Sequence, residues 1–440
     1  MGTPYSVSIT PEEQCYCDSI EKIYCQIPDD IGIMQMVTLG DVEMDAAGAD
    51  ALVESSVMNP IGSPTLREIA AGRTTAAIII SDATRGVDTA RVLPFVISEL
   101  TAAGLRMEDM LAVVALGVHR DAGEDEMKAM LGTCWGKLRV VNHQPFDPER
   151  LVSVGTTSRG NDIQVNRSVA AAQIRIGIGK VEPHEFAGYS GGRKSVLPGI
   201  AGESSIRFNH RPEMLADPHA APCVLRDNPV HLDMVEAARL LRMDFFVNLV
   251  QNARGMPVAA FSGDMVASHE AAVSFLEQRY GVSVSQNANI FLTTPGAPLN
   301  IDFYQAVKPL FGLYPVLKEN DVVILYAECR EGLNSVDMIA PFRQGDTTQR
   351  VLAYLMDNYR IQMDQALLLC KIYQKKVKII VFSPGVSAAE LRTMRMHPVD
   401  SLPAALEKAA AFKREDGEKP RLCIFPQAQR AVIRIDDKQE

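Results

Sequence analysis

Several short stretches of the chain concentrate side chains that can move protons, hold anions or bind a metal. Ser81-Asp82-Ala83-Thr84-Arg85 sets a carboxylate three residues before a guanidinium. Val118-His119-Arg120 offers one imidazole, and Lys180-Val181-Glu182-Pro183-His184 offers a second. Histidine titrates near neutrality, so His119 and His184 together could serve as acid and base in one reaction. Taken singly each residue has a plainer reading: Asp82 as a helix N-cap, Arg85 on a solvated turn, either imidazole buried and satisfied. All three stretches directly follow apolar, strand-like runs, and that shared position points to one site.

The densest run is His184-Glu-Phe-Ala-Gly-Tyr-Ser190-Gly191-Gly192-Arg193-Lys194-Ser195. Its glycines permit positive φ and close approach of backbone N–H groups to an anion, and Arg193 and Lys194 add charge. The spacing predicts a phosphate loop, with a mere tight turn as the alternative. A P-loop of the form G-x-x-x-x-G-K-[ST] is excluded, because Arg193 stands where the glycine before the lysine belongs. His210, after Asn209, is a candidate metal ligand. Gln305 and Lys308 lie three apart on a helix expected to begin near Asn300 or Asp302, an amide and an ammonium suited to a carboxylate substrate.

These groups need a scaffold. Buried strands are expected at 76–81, 110–117, 138–144, 173–179, 244–250, 289–295, 321–327, 377–383 and 421–426. Amphipathic segments such as 92–104 lie between them, with Gly104 as a C-terminal cap. The alternation predicts an α/β fold of two lobes, each a mainly parallel sheet flanked by helices, with the site in the cleft between. The boundaries are placed at 1–275 for a cofactor-binding domain and 280–415 for a domain closing over the substrate, with 416–440 free to rejoin the first. With 440 residues the chain exceeds the roughly 150 typical of one domain.

Composition narrows the function classes. Lys plus Arg total 44 against 54 Asp plus Glu, a net charge of −10, which argues against a nucleic-acid partner. No apolar run approaches the ~20 residues of a membrane span, and the first residues carry no signal-peptide pattern. A cytoplasmic protein with reduced thiols is expected. Cys15, Cys17 and Cys25 lack a zinc-site spacing, and Cys134, Cys223, Cys329, Cys370 and Cys423 are scattered, most of them among apolar neighbours.

With these residues in view, the sequence resembles the nickel-pincer-nucleotide lactate racemase family of 2-hydroxyacid racemases and epimerases. The resemblance rests on S-D-A-T-R at 81–85, G-V-H-R at 117–120, the run H-E-F-A-G-Y-S-G-G-R-K-S-V-L-P-G at 184–199, N-H at 209–210 and Y-Q-A-V-K at 304–308. It implies a sulfur-armed pyridinium mononucleotide carried on Lys194, nickel completed by His210, and Asp82, Thr84, Ser190, Gly191 and Gly192 around the cofactor. It implies His119 and His184 as the acid–base pair, and Arg85, Gln305 and Lys308 as substrate anchors. The reaction implied is inversion at C2 by hydride transfer to the cofactor and back through a 2-oxoacid, with cofactor-making enzymes as upstream partners. Family members acting on lactate carry a tryptophan in the C-terminal lobe, whereas the stretch here reads Gln365-Ala-Leu-Leu-Leu-Cys370-Lys371 and the only tryptophan is Trp135. A substrate other than lactate is therefore expected, such as a hydroxydicarboxylate, a sugar acid or an aryl lactate. Outside the resemblance, the glycine run leaves two alternatives: a phosphate- or nucleotide-binding enzyme, or a non-catalytic metabolite-binding protein.

Overall fold

The computed structural model describes residues 27–435 apart from positions 38, 41 and 298. Cys15, Cys17 and Cys25 lie outside the described residues. The expected buried strands form because runs such as Ala-Ala-Ile-Ile-Ile can be covered on both faces, which a parallel sheet between helices requires. In Ala76–Ser81 every residue but the last is buried.

Two six-stranded sheets result. In the first, Ala76–Ser81 lies centrally between Met110–Ala115 and Ile174–Lys180, parallel to both. Arg139–Asn142 extends one side, and Phe245–Gln251 the other. Pro257–Gly263 closes that second edge antiparallel. The three strands that precede Asp82, His119 and His184 are therefore immediate neighbours, so their carboxyl ends open onto one rim. The helix Thr89–Ala102 buries Val92, Leu93, Val96, Ile97 and Leu100, and Gly104 follows at φ +100°.

The second sheet is wholly parallel, in the order Gly32–Met36, Arg421–Ile424, Ile290–Thr293, Val322–Tyr326, Lys378–Phe382 and His397–Pro398. Two expectations are corrected here. Residues 421–424 do not rejoin the first sheet but run between Gly32–Met36 and Ile290–Thr293. Residues 32–36, assigned by position to the first unit, form an edge of the second sheet. Sequence order alone does not say which neighbour a short apolar strand will choose. One face of each sheet contributes to a single buried cluster that holds Ile79 and Val113 together with Phe291 and Val323. No helix among the described residues is long and apolar enough to cross a membrane.

Candidate active site

After the strand Ala76–Ser81 the chain turns into a short 3-10 helix, Ala83–Arg85, capped by Asp82, whose Oδ1 accepts from the Thr84 N–H at 2.8 Å. The capping role and a second role coexist, because Thr84 also donates its hydroxyl to Oδ1 at 2.5 Å while Oδ2 faces His119 Nδ1 at 3.2 Å. A carboxylate at Nδ1 fixes the proton there and leaves Nε2 as the reactive nitrogen. Arg85 closes the group, with Nε 3.8 Å from Asp82 Oδ2 and Nη2 3.5 Å from His119 Nε2. Burial alone would raise the Asp82 carboxyl, but the His119 hydrogen bond and the Arg85 charge hold it at about 2. Asp82 thus orients His119, and Thr84 anchors Asp82.

His184 leaves the strand Ile174–Lys180 on a tight two-stranded turn, pairing with Gly188. Its Nε2 lies 3.2 Å from Lys194 Nζ and its Nδ1 3.4 Å from Glu185 Oε2. The Ala187 N–H also approaches Nδ1, at 3.4 Å, so this ring is oriented less firmly than that of His119. The ring of Phe186 stands edge-on to His184 at 4.6 Å and to His210 at 5.0 Å, and Lys194 Nζ lies 5.6 Å from the same ring. One aromatic side chain thus gathers Lys194, His184 and His210. Burial, then the Lys194 charge, pushes His210 down to about 3. Burial also takes Lys194 well below the usual lysine range, reinforced by Arg193 and Arg85. His184 is lowered likewise, by burial and then by Lys194, Lys308 and Arg85.

The glycine run differs from the phosphate cradle it suggests. Arg193 is 1% exposed and donates to the carbonyls of Ser190, Gly191, Ala187 and Tyr189, with His269 Nε2 at 2.7 Å. Its charge is therefore spent inside the loop. The Gly192 N–H donates to Asn248 Oδ1, and the Ser190 hydroxyl donates to the Lys180 carbonyl. A Cβ at Gly191, at φ +77°, would meet Val181 at 2.6 Å, and one at Gly188 would meet the Val224 carbonyl at 2.4 Å. These glycines are demanded by close packing. The loop's polar groups shape it to present Lys194, which removes the main support for a nucleotide-hydrolysing enzyme.

From the second sheet, Asp302 caps the helix Phe303–Ala306 by accepting from the Gln305 N–H at 2.8 Å, as the sequence predicts. Lys308 opens a second helix, Lys308–Leu313, after a turn at Val307, so it does not share one helix with Gln305 in the way the spacing predicts. Burial lowers its ammonium against the pull of Glu185, with Arg85 acting the same way as burial. The groups flanking His184 from the first sheet and Lys308 from the second therefore act on one another. Glu185 and Phe186 were not singled out by sequence reasoning, although both lie inside the long motif. Tyr304, Asp364 and Gln365 also border this region, and a polar pair opening an otherwise apolar helix was the available signal.

Residues 20–222 match the lactate racemase N-terminal domain, and residues 283–432 match the lactate racemase C-terminal domain. The chain belongs to the lactate racemase family. It is 29% identical over 420 residues to a lactate racemase of Thermoanaerobacterium thermosaccharolyticum, covering 94% of this chain and 97% of that protein. A lactate racemase of Lactiplantibacillus plantarum is 29% identical over 416 residues, with the same coverage. The solved lactate racemase apoprotein of T. thermosaccharolyticum superposes with a TM-score of 0.86 at 27% identity, over 94% of this chain and 98% of that one. A Thermotoga maritima protein, at TM-score 0.65 and 18% identity, shares the fold over 91% of this chain and the whole of that one.

Lactate racemases are isomerases of the nickel-dependent kind, and the residues here fit such a group. His210 Nδ1 lies 3.1 Å from the Ile206 carbonyl, an arrangement that places the proton on Nδ1 and frees Nε2 as a neutral donor. Among the described residues no group of three or more His, Cys, Asp or Glu could hold a metal. His210 would thus hold a nickel ion through one imidazole, a donor that suits nickel.

Proposed function

We propose that this protein inverts the C2 stereocentre of a 2-hydroxyacid, using a nickel-pincer nucleotide joined to Lys194 and completed by His210. The observation that carries the reading is the convergence of Lys194, His184 and His210 around Phe186. When bound, the cofactor supplies the centre that takes up and returns the Cα hydride. Burial favours the uncharged amine of Lys194, the form whose lone pair can be acylated, in keeping with a thioamide link. Arg85 and Lys308 hold the substrate carboxylate, with Gln305 beside them. His119 Nε2, oriented by Asp82, takes the hydroxyl proton of one enantiomer, and His184 Nε2 takes that of the other. Two bases are needed because the hydroxyl lies on opposite sides in the two enantiomers. The planar 2-oxoacid, with its carboxylate still anchored, can turn to offer either face. The two sheets are read as lobes that close over the substrate. The substrate is larger or more polar than lactate, and cofactor-making enzymes act upstream in the same cytoplasm.

The test is coexpression with the cofactor-making enzymes, followed by peptide mass mapping, nickel analysis and a chiral assay. A mass gain on the Lys194 peptide, one nickel per chain and C2 inversion lost in both His119→Ala and His184→Ala are expected. Unmodified, nickel-free protein from cells that load a relative would overturn the reading.

A further inference from the structure

His210 ends a helix of only seven residues, Glu203–Asn209. Its backbone N–H and its Nδ1 both meet the Ile206 carbonyl, at 2.9 and 3.1 Å, so the ring goes wherever the last turn of that helix goes. A helix this short does not hold its own place, and tertiary ties must set it. Those ties meet at Asp233, a carboxylate 0% exposed on the helix Pro229–Leu241, which the mechanism does not use. Its Oδ1 accepts from the Thr157 hydroxyl at 2.6 Å. Its Oδ2 accepts from the side-chain amides of Asn161 and Asn209, each at 2.8 Å.

Each amide also donates to a main-chain carbonyl at 3.1 Å, Asn209 to Val230 and Asn161 to Ser205. One carboxylate therefore ties the helix 203–209, near its start and at its end, to the turn at 157–161 and to the helix 229–241. A carboxylate has no hydrogen to donate, so both amides must present nitrogen to it and neither can flip. The orientation of Asn209 is fixed even though its Oδ1 is left buried without a hydrogen-bond partner among the described residues. The three hydrogen bonds to Asp233 all come from neutral groups. A carboxylate buried among neutral donors and an amide oxygen left stranded both carry a free-energy cost, and such features commonly mark a site of function. Resting on the function proposed above, we infer that Asp233, acting through Asn209, is a positioning residue that holds the His210 imidazole where nickel requires it. Neither residue touches the metal. They set the direction of its one protein ligand before the cofactor arrives, as the supporting groups behind a metal ligand do.

The test uses protein from cells that also make the cofactor. It reads the mass gain on the Lys194 peptide, the rate at which EDTA removes nickel, and the melting temperature. Asn209→Leu and Asp233→Leu should keep the Lys194 mass gain yet lose nickel ~10-fold faster than the parent chain, the scale on which a metal site weakens without its supporting groups. Asp233→Asn can still turn its amide oxygen to both donors and its nitrogen to the Thr157 hydroxyl. Nickel retention there should recover to within ~3-fold of the parent. Lys413→Met is the control for stability alone. Lys413 lies buried on the helix Leu402–Glu415, where its Nζ donates to the Asn320 carbonyl and pairs with Asp416 and Glu418. This variant should melt lower and keep its nickel. Nickel held by Asn209→Leu as firmly as by the parent would overturn the inference. So would an Asp233→Asn variant that loses nickel as fast as Asp233→Leu, or nickel loss that tracks melting temperature across all the variants. Where a leucine variant does not fold, alanine at the same position replaces it, and failure of all of them to fold makes the net structural and overturns the inference too. A parent chain with neither mass gain nor nickel overturns the proposed function itself.

Discussion

Asp82 gives His119 what a free imidazole lacks, a fixed tautomer and a fixed direction. With its carboxylate 3.2 Å from Nδ1, the ring nitrogen left without the proton is Nε2. Asp82→Asn keeps the size but presents an amide that can also donate, so the ring loses its enforced tautomer. Single-turnover kinetics should show a fall in kcat of ~100-fold or more with substrate binding little changed. The same carboxyl also bears on stability. Held at about 2 when folded, it stays ionised while an unfolded chain, with an ordinary carboxyl near 3.9, begins to take up a proton. Its contribution, about 2 kcal/mol, is complete above that ordinary value and lost as pH falls to about 2. Urea unfolding of Asp82→Asn should accordingly depend less on pH across this window than unfolding of the parent chain. At this scale the sequence marked residues that the structure brings together and said less about the partners that hold them. Asp82, His119, His184, Lys194 and His210 were all legible, but the roles of Ser190, Gly192 and Arg193 depend on partners such as Asn248 and His269 that lie 56 and 76 residues away.

Among the elements, the loop that carries Lys194 is held by a buried guanidinium rather than by a ligand. Arg193 donates to four carbonyls, of which those of Ala187, Gly191 and Ser190 also accept from the Tyr189 N–H, the Lys194 N–H and His269 Nε2. Arg193→Met should cost about 3 kcal/mol or more in chemical denaturation, and Lys194 should no longer be loaded efficiently by mass mapping. Arg193→Lys should rescue little, because an ammonium cannot match the planar five-donor fork. The helix Asp364–Gln374 has its own tether in Lys371, whose Nζ reaches three carbonyls in the 215–220 segment from the first half of the chain. Lys371→Met takes the ammonium from the carbonyls of Leu215, Asp217 and Ala220, of which Asp217's still accepts from the Ala220 N–H, so a loss of about 1–3 kcal/mol is expected, with KM rising more than kcat falls. The apolar face of that helix was readable from its leucines. Its attachment to a segment some 150 residues earlier was not, because one lysine among many carries no mark of where it ends.

For the molecule as a whole, burial of neutral imidazoles sets the acid limit. His143, fully buried against the Ala201 carbonyl, is pushed down to about 4 by burial, and His210 to about 3. Both stay neutral in the folded protein while the unfolded chain takes up protons below about 6.5, so each removes up to ~1.4 kcal/mol of stability per pH step. Cofactor-free protein should therefore weaken from pH 6.5 downward, well above the window in which Asp82 matters. Denaturation midpoints at pH 7, 6, 5 and 4 check this, and His143→Gln should flatten the slope between 6 and 4.

What the sequence determined by itself was local. Apolar runs set the strands, helical periodicity set the flanking helices, and the polar residues after three runs marked the rim of one sheet. The choice of strand neighbours was decided only in three dimensions, because a short buried strand such as Arg421–Ile424 fits any parallel edge equally well on its own. So was the inward turn of the Arg193 loop, since hydrogen-bond satisfaction depends on every group that packing brings within reach.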